Sequence, residues 1–217
     1  MAAGNATRWR NHEGVPKHLV NIEGEILVHR TARQFAERGC SVVIIGADER
    51  YRYPGVELYI PRDDERQVEL DKFLVGKHLW GPDRTILAFG DVYFTDEAVD
   101  SIVNDESRFR FYLRQLGSKI TGKLAKEMFA VSFTDETKHR LFSVVEKLKE
   151  EGRVTKAGGW SVFRQIVTGT TIIGGGNYIF KDPELFIDID DWTEDFDFPR
   201  DLDTWRANRE RWLSENQ

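Results

Sequence analysis

The apolar positions of this chain come in short bursts divided by polar turns, and their spacing switches between two periods. Over Glu25 to Arg38, apolar or small residues recur at Leu27, Val28, Thr31, Ala32 and Phe35. That is the spacing of one helix face, and Gly39 closes the run. Val42 to Ile45 is an unbroken β-branched run ahead of Gly46, the pattern of a strand buried on both faces. Val56 to Ile60 predicts a second short strand. Thr85 to Phe89 predicts another buried one, ending at Gly90-Asp91. Between them, Asp64 to Leu79 is charged, with Val68, Phe73, Leu74, Val75 and Leu79 spaced as in a helix. Thr95 is a good N-cap for a helix through Val103, with Asp96 and Glu97 in its first turn. Phe109 to Arg114 and Met128 to Phe133 read as strands. Thr137 to Glu150 reads as a helix with Leu141, Val145 and Leu148 on one face, stopped by Gly152. Phe163 to Val167 fits a short helix or a strand. Ile172 to Phe180 is a Gly174-Gly175-Gly176 turn followed by a short aromatic run, and Leu185 to Ile189 is a last strand. Trp205 and Trp212, seven residues apart, are expected to pack a final helix back on the domain.

Strands and helices alternate through the first half, and more strands follow. This predicts one α/β, Rossmann-like domain over residues 1–217, with a mostly parallel central sheet flanked by helices. Residues 192–217 form an acidic segment and a helix packed on it. In such sheets ligands sit beyond the carboxyl ends of the strands. Gly46, Gly90-Asp91 and the Asp188–Asp190 segment fall at those ends.

Composition narrows the classes. Hydrophobic residues make up 40% and charged residues 31%, which excludes a disordered chain. A net charge of −6 gives no general basic face for nucleic acid. The lone cysteine, Cys40, allows no intrachain disulfide. No apolar run approaches the ~18 residues of a membrane span. The first residues lack the apolar core of a signal peptide, so the cytoplasm is the expected compartment.

Three segments carry candidate chemistry. Residues 2–16 read as an extended loop. Within it, Ala2, Ala3, Gly4, Asn5, Ala6 and Thr7 are small, so their backbone can approach a ligand closely, and loop N–H groups can cradle phosphate oxygens. Arg8 offers a fork of donors and Lys17 a point charge. Taken alone, the segment reads either as such a cradle or as an N-terminal arm with incidental basic residues. Asp91 stands at the end of a buried strand, which suits a rigid ligand for Mg²⁺ and equally suits a turn cap. Asp188 and Asp190, two apart in a strand, point the same way and repel unless a cation or water lies between them. Ten acidic residues lie between Asp182 and Asp203 against one arginine, so a solvated acidic face competes with a metal site. Asp191, Asp195 and Asp197 are read as part of that face.

The compound pattern Ala2-Ala3-Gly4, Thr7-Arg8, Pro16-Lys17-His18-Leu19, with Gly24 beyond, resembles the signature of the nucleotidyltransferases of the GT-A-like fold. These include sugar-phosphate nucleotidylyltransferases and the molybdenum-cofactor type. In that signature an apolar strand precedes Ala-Ala-Gly, and a second glycine stands where this chain has Ala6. The resemblance implies a nucleotide site at Ala2, Ala3, Gly4, Asn5, Thr7, Arg8, Lys17, Gly46 and Gly90. It puts Arg8 and Lys17 on the triphosphate, with Lys17 near the α-phosphate. Asp91 takes the place of the family's central Gly-Asp carboxylate on Mg²⁺. The family's late element, Asp-Ile-Asp-Thr-Pro-Glu-Asp, is matched here to Asp188-Ile189-Asp190, with Asp190 as the second ligand and Asp188 next; Asp191-Trp192 then replaces Thr-Pro. Arg114, Glu127, Gly175 and Asn177 are candidate acceptor contacts, as is the Gly-bounded loop Gly117 to Gly122. Trp9, where the family has a smaller residue, would stack on a base or sugar or cover the core.

The implied reaction is Mg²⁺-dependent transfer of a nucleotidyl group from an NTP to a phosphorylated acceptor such as a sugar 1-phosphate, releasing pyrophosphate. The competing reading is a glycosyltransferase of the same fold using an NDP-sugar. Its acceptor would be a polymer, a small molecule or a modified nucleobase, the one case in which nucleic acid would be a partner. A non-enzymatic nucleotide-sensing domain is a third. No membrane partner is expected. Met1 stands where the family's first strand would end. The first strand is therefore expected to be missing from the sheet, and Val42–Ile45 and Thr85–Phe89 are expected not to pair directly.

Overall fold

The computed structural model describes residues 1–2, 8–152, 158–170 and 179–216. Its elements are β1 (Asn21–Ile22), β2 (Glu25–Ile26), α1 (Leu27–Glu37), β3 (Val43–Ile45), β4 (Glu57–Tyr59), β5 (Arg84–Ala88), β6 (Val92–Tyr93), α2 (Asp96–Val103), β7 (Phe109–Arg114), β8 (Glu127–Thr134), α3 (Lys138–Glu150), α4 (Gly158–Thr168), β9 (Phe186–Asp188), β10 (Glu194–Asp195) and α5 (Pro199–Glu215).

The central sheet has the order β5-β8-β7-β9 and is mixed. The long strand β8 runs antiparallel to both neighbours, while β9 runs parallel to β7. The parallel pair β3-β4 lies to the other side of β5. Between β3 and β5 run Met1 and Ala2. The Ala2 N–H donates to Ile45 O at 2.8 Å, the Met1 nitrogen to Ala88 O at 2.5 Å, and the Gly90 N–H to Met1 O at 2.7 Å. Ala2 forms a parallel bridge with Gly46. The two predicted strands therefore do not pair directly, and two residues fill the space between them. A Cβ on Gly90 would stand 2.7 Å from Ala2 Cβ, and one on Gly46 2.5 Å from Tyr51 Cβ. Both glycines are thus required by close packing of protein on protein.

The sheet is covered on both faces. Phe109, Phe111, Val131 and Phe133 are set on one face by the β7-β8 register, and Phe163 of α4 packs on Phe111 with ring centroids 5.1 Å apart. On the other face Arg84 reaches the carbonyls of Ile102 and Val103 at the end of α2, a cation at a helix carboxyl terminus. Full burial on both faces explains why β8 reads as a continuous apolar run although it is antiparallel.

Most predicted elements appear at their predicted places. Residues 64–79 do not form the predicted helix. They form short 3-10 turns, because the Asp71 carboxylate takes the Val68 N–H and Gly76 turns the chain at φ 76°. Residues 163–167 belong to the helix α4. The glycine turn at 174–176 lies outside the described residues. Trp205 is buried against Tyr93, Trp192 and Phe196, and its indole N–H donates to Trp192 O. Trp212 stays partly exposed beside Trp192. Among the described residues, no helix is long and apolar enough to cross a membrane.

Candidate functional site

The carboxyl ends of β3, β5, β7 and β9 and the amino end of β8 lie along one edge of the sheet. Two devices concentrate charge there. The first is the antiparallel ladder β6-β10, in which Val92 faces Asp195 and Tyr93 faces Glu194. The Phe196 N–H donates to Asp91 O at 3.1 Å. Late acidic residues are thereby laid alongside the Gly90-Asp91 turn. The second is a bulge where the β7-β8 register shifts between Tyr112 and Leu113, which re-aims Arg114 and Glu127 at the end of the pair.

At the centre, the Lys17 ammonium forms an ion pair with Asp91 and lies 3.6 Å from Asp197 Oδ1. Arg8 Nη2 reaches the same Asp197 Oδ1 at 2.6 Å, from a half-exposed position on the rim. On the other side of Asp197, Lys123 Nζ is 2.8 Å from Glu127 Oε1, 3.7 Å from Asp195 Oδ2 and 4.0 Å from Asp197 Oδ2. Lys123 Nζ also donates to Asp195 O at 3.0 Å. Glu127, Asp195 and Asp197 each bring a carboxylate oxygen within 4.8 Å of the others.

The charges shape one another. Burial pulls Lys17 down, but Asp91, Asp195 and Asp197 outweigh it and hold the ammonium above the ordinary lysine range. Burial pushes Asp91 up, yet the Lys17 ammonium, with a smaller contribution from Lys72, holds it well below the ordinary carboxylate range. Asp195 goes the other way: burial, with Asp91 and Glu127 close by, pushes it well up. Four buried or nearly buried carboxylates, Asp91, Glu127, Asp195 and Asp197, face two ammonium groups, Lys17 and Lys123. Asp195 Oδ1 is buried without a hydrogen-bond partner. The donor set is all oxygen, the kind that hard divalent cations take, so the residues fit Mg²⁺.

Beneath Lys17, His18 is fully enclosed. Its Nδ1 shares a hydrogen bond with the Tyr51 hydroxyl at 3.2 Å. Burial pushes His18 down to about 3, so it is neutral at ordinary pH. It adds no positive charge beside Lys17.

Several expected site residues lie elsewhere. Asp188 is on β9, at the far edge of the sheet from β5. Three strand spacings separate the two, roughly 14 Å. Its Oδ1 takes the Gln115 N–H at 3.0 Å. Asp190 is half-exposed and pairs with Lys119 at a shallow surface depression beside Trp192. The carboxylates beside Asp91 are Asp195 and Asp197, which the sequence reading left on a solvated face. The signal was present: Asp195-Phe196-Asp197-Phe198-Pro199-Arg200-Asp201 keeps the proline and all three aspartates of Asp-Ile-Asp-Thr-Pro-Glu-Asp. A match to Asp188-Ile189-Asp190 gives up the proline.

Arg114 cannot meet an acceptor. It is 1% exposed, and its guanidinium is committed to Glu194 at 3.1 Å and to the carbonyls of Asp191 and Thr193. Its strand ends inside the protein, where a lone guanidinium needs a buried counter-charge. Glu127 is buried against Lys123, within the carboxylate cluster. Trp9 is fully buried with Val20, Ile22, Leu27 and Trp205, and its indole N–H donates to Val15 O, so it covers the core. The loop from Gly117 to Gly122 turns its Ser118 and Thr121 hydroxyls onto Glu194. Ala2 is buried in the sheet. Ala3, Gly4, Asn5, Thr7, Gly175 and Asn177 lie outside the described residues. No motif in the sequence marks Lys123, although its partner Glu127 stands four residues on.

No protein-family model matches the sequence, and no curated protein matches it. Solved structures do. The chain is similar to the CTP:phosphocholine cytidylyltransferase of Streptococcus pneumoniae, with a TM-score of 0.55, 17% identity and 95% of each chain covered. It is also similar to the inositol-1-phosphate CTP transferase of T. maritima, with a TM-score of 0.59, 18% identity, and 96% of this chain and 94% of that one covered. At these identities the likeness is one of fold, over nearly the whole length.

Proposed function

We propose that this protein is a metal-dependent nucleotidylyltransferase that moves a nucleotidyl group from an NTP to a phosphorylated small-molecule acceptor. The observation that carries the reading is Lys17 held between Asp91 and Asp197 at the sheet edge, with Arg8 on the same Asp197. Both structural neighbours are named for CTP, which makes CTP the first nucleotide to test.

The reaction is a displacement at phosphorus. An oxygen of the acceptor phosphate forms a bond to the α-phosphorus, the bond from that phosphorus to the bridging oxygen breaks, and pyrophosphate leaves with the electron pair. Such transfer depends on positioning and charge neutralisation. Asp91 and Asp197 would hold Mg²⁺, with Asp195 alongside. The bound ion would neutralise phosphoryl oxygens in the transition state. With that cation on the carboxylates, Lys17 has the α-phosphoryl oxygens as its partner. Arg8, on the rim, has the reach and the fork of donors for the β- and γ-phosphates. The neutral His18–Tyr51 pair fixes the turn that presents Lys17.

The test is pyrophosphate release from each NTP with Mg²⁺ and a panel of phosphorylated alcohols, phosphocholine, inositol 1-phosphate and sugar 1-phosphates among them. Release with at least one pair, reduced at least ~100-fold in Lys17→Ala, is the expected result. Silence across the panel, or full activity in folded Lys17→Ala, would sink the assignment. Release of free NDP from an NDP-sugar would shift it to glycosyl transfer.

A further inference from the structure

We propose that Lys123 is a resident cation in a second cation position of this site, so that the chain takes one divalent ion where its carboxylates have room for two. The inference rests partly on the reading above, in which Asp91 and Asp197 hold a divalent cation.

Asp197 divides its two oxygens. Its Oδ1 faces Arg8 and Lys17, and its Oδ2 faces Lys123. A carboxylate shared in this way between two positive centres is the plan of a two-metal site. Here both centres are filled by side chains. Around Lys123, oxygens of Glu127, Asp195 and Asp197 lie within 4.8 Å of one another. Oxygens bound to one divalent cation at roughly 2.1–2.5 Å lie no farther apart than roughly 5 Å. The spacing therefore suits an ion, and the ammonium occupies the place. Asp195, nine-tenths buried, keeps one oxygen without a hydrogen-bond partner there. That oxygen is unused by the lysine.

The two lysines are held differently. Lys17 comes from a single 3-10 turn and, in the reading above, has a phosphate as an alternative partner. Lys123 is clamped by its own loop. The Ser118 N–H donates to Lys123 O at 2.7 Å, and a Cβ on Gly117 would stand 2.4 Å from that same oxygen. Gly122 N donates back to Ser118 O, and the Ser118 and Thr121 hydroxyls anchor the loop to buried Glu194. Asp201, 3.8 Å from Lys123 Nζ, is itself fixed by the Asp197 and Phe198 N–H groups at the start of α5. Among the described residues, every contact of Lys123 is with this carboxylate cluster and its own loop. It stays, and it supplies permanently the positive charge that a second ion would bring.

The consequence is testable by metal binding alone. Mn²⁺ is titrated into the full chain, followed by the resonance of free Mn²⁺ and by thermal melting, for wild type, Lys123→Gln, Lys123→Met and Asp91→Asn. Wild type should bind one Mn²⁺. Lys123→Gln and Lys123→Met should bind a second and gain more thermal stability from Mn²⁺ than wild type does. Asp91→Asn should lose the wild-type ion, and Asp91→Asn/Lys123→Gln should keep one. Equal stoichiometry and equal melting response in wild type and both Lys123 variants would overturn the proposal. So would two ions in wild type, or Lys123 variants that stay unfolded even with Mn²⁺. Wild type binding no ion would count against the Asp91–Asp197 reading, and a gain in the Lys123 variants would still decide for Lys123.

Discussion

His18 makes the stability of this protein depend on pH in a direction set by its burial. Its folded pKa, about 3, lies far below the ~6.5 of an exposed histidine. Between those values the unfolded chain binds a proton that the folded chain refuses. The stability contributed by the neutral, enclosed ring is fully present above pH ~6.5 and is lost as pH falls toward 3. At pH 5, ~1.5 units below the unfolded pKa, the loss is ~2 kcal/mol at ~1.4 kcal/mol per unit. The informative variant is His18→Gln, which keeps a hydrogen-bonding group for the Tyr51 hydroxyl and does not titrate. Asp195 and Glu127, pushed up by burial, oppose this trend, but they are common to both proteins and cancel in the comparison. Urea unfolding at pH 7 and pH 5, with a chelator present, should show wild type losing ~2 kcal/mol more than His18→Gln. With urea slopes of ~1–3 kcal/mol per molar, that is a midpoint difference on the order of 1 M. Parallel losses in the two proteins would show that the ring is not held neutral by the fold.

Two further predictions follow from the placement of charge. Asp197→Asn should lower turnover at least ~100-fold, because it removes the carboxylate shared by Arg8, Lys17 and Lys123, whereas Asp190→Asn should stay within about 2-fold of wild type in the same pyrophosphate assay. Arg114→Leu should cost ~3–5 kcal/mol in urea unfolding, because it strands Glu194 without its partner, and the double variant Arg114→Leu/Glu194→Leu should recover part of that loss.

The elements legible in the sequence were those whose periodicity reports burial. The α1 stripe, the β-branched run of β3 and the Thr95 cap of α2 all act locally, and all appear as read. The direction of β8 was not legible, because an antiparallel strand covered on both faces has the same apolar run as a parallel one. Lys17 and Asp91 each stand in a short motif at a fixed backbone turn, and the structure brings the two together. The carboxylates that the fold brings to Lys17 and Asp91 lie later in the chain than Asp188 and Asp190. In a segment this acidic the charges mark no register, and only Pro199 at the first turn of α5 distinguished it. Lys123 and Arg114 show what sequence spacing does not carry. Both are basic residues near the sheet edge, and only the tertiary fold commits one to the carboxylate cage and the other to Glu194.

The short ladder between Val92–Tyr93 and Glu194–Asp195 also sets an order of events in making the protein. Asp91 and Lys17 belong to the part of the chain that leaves the ribosome first, while Asp195, Asp197 and the start of α5 come near its end. Until that last segment docks, Lys17 and Asp91 lack Asp195 and Asp197 beside them. The set of carboxylates would then be completed in one step with the docking of the carboxyl-terminal segment. A chain cut before β10 would be left with half of the carboxylates, whatever the state of its sheet.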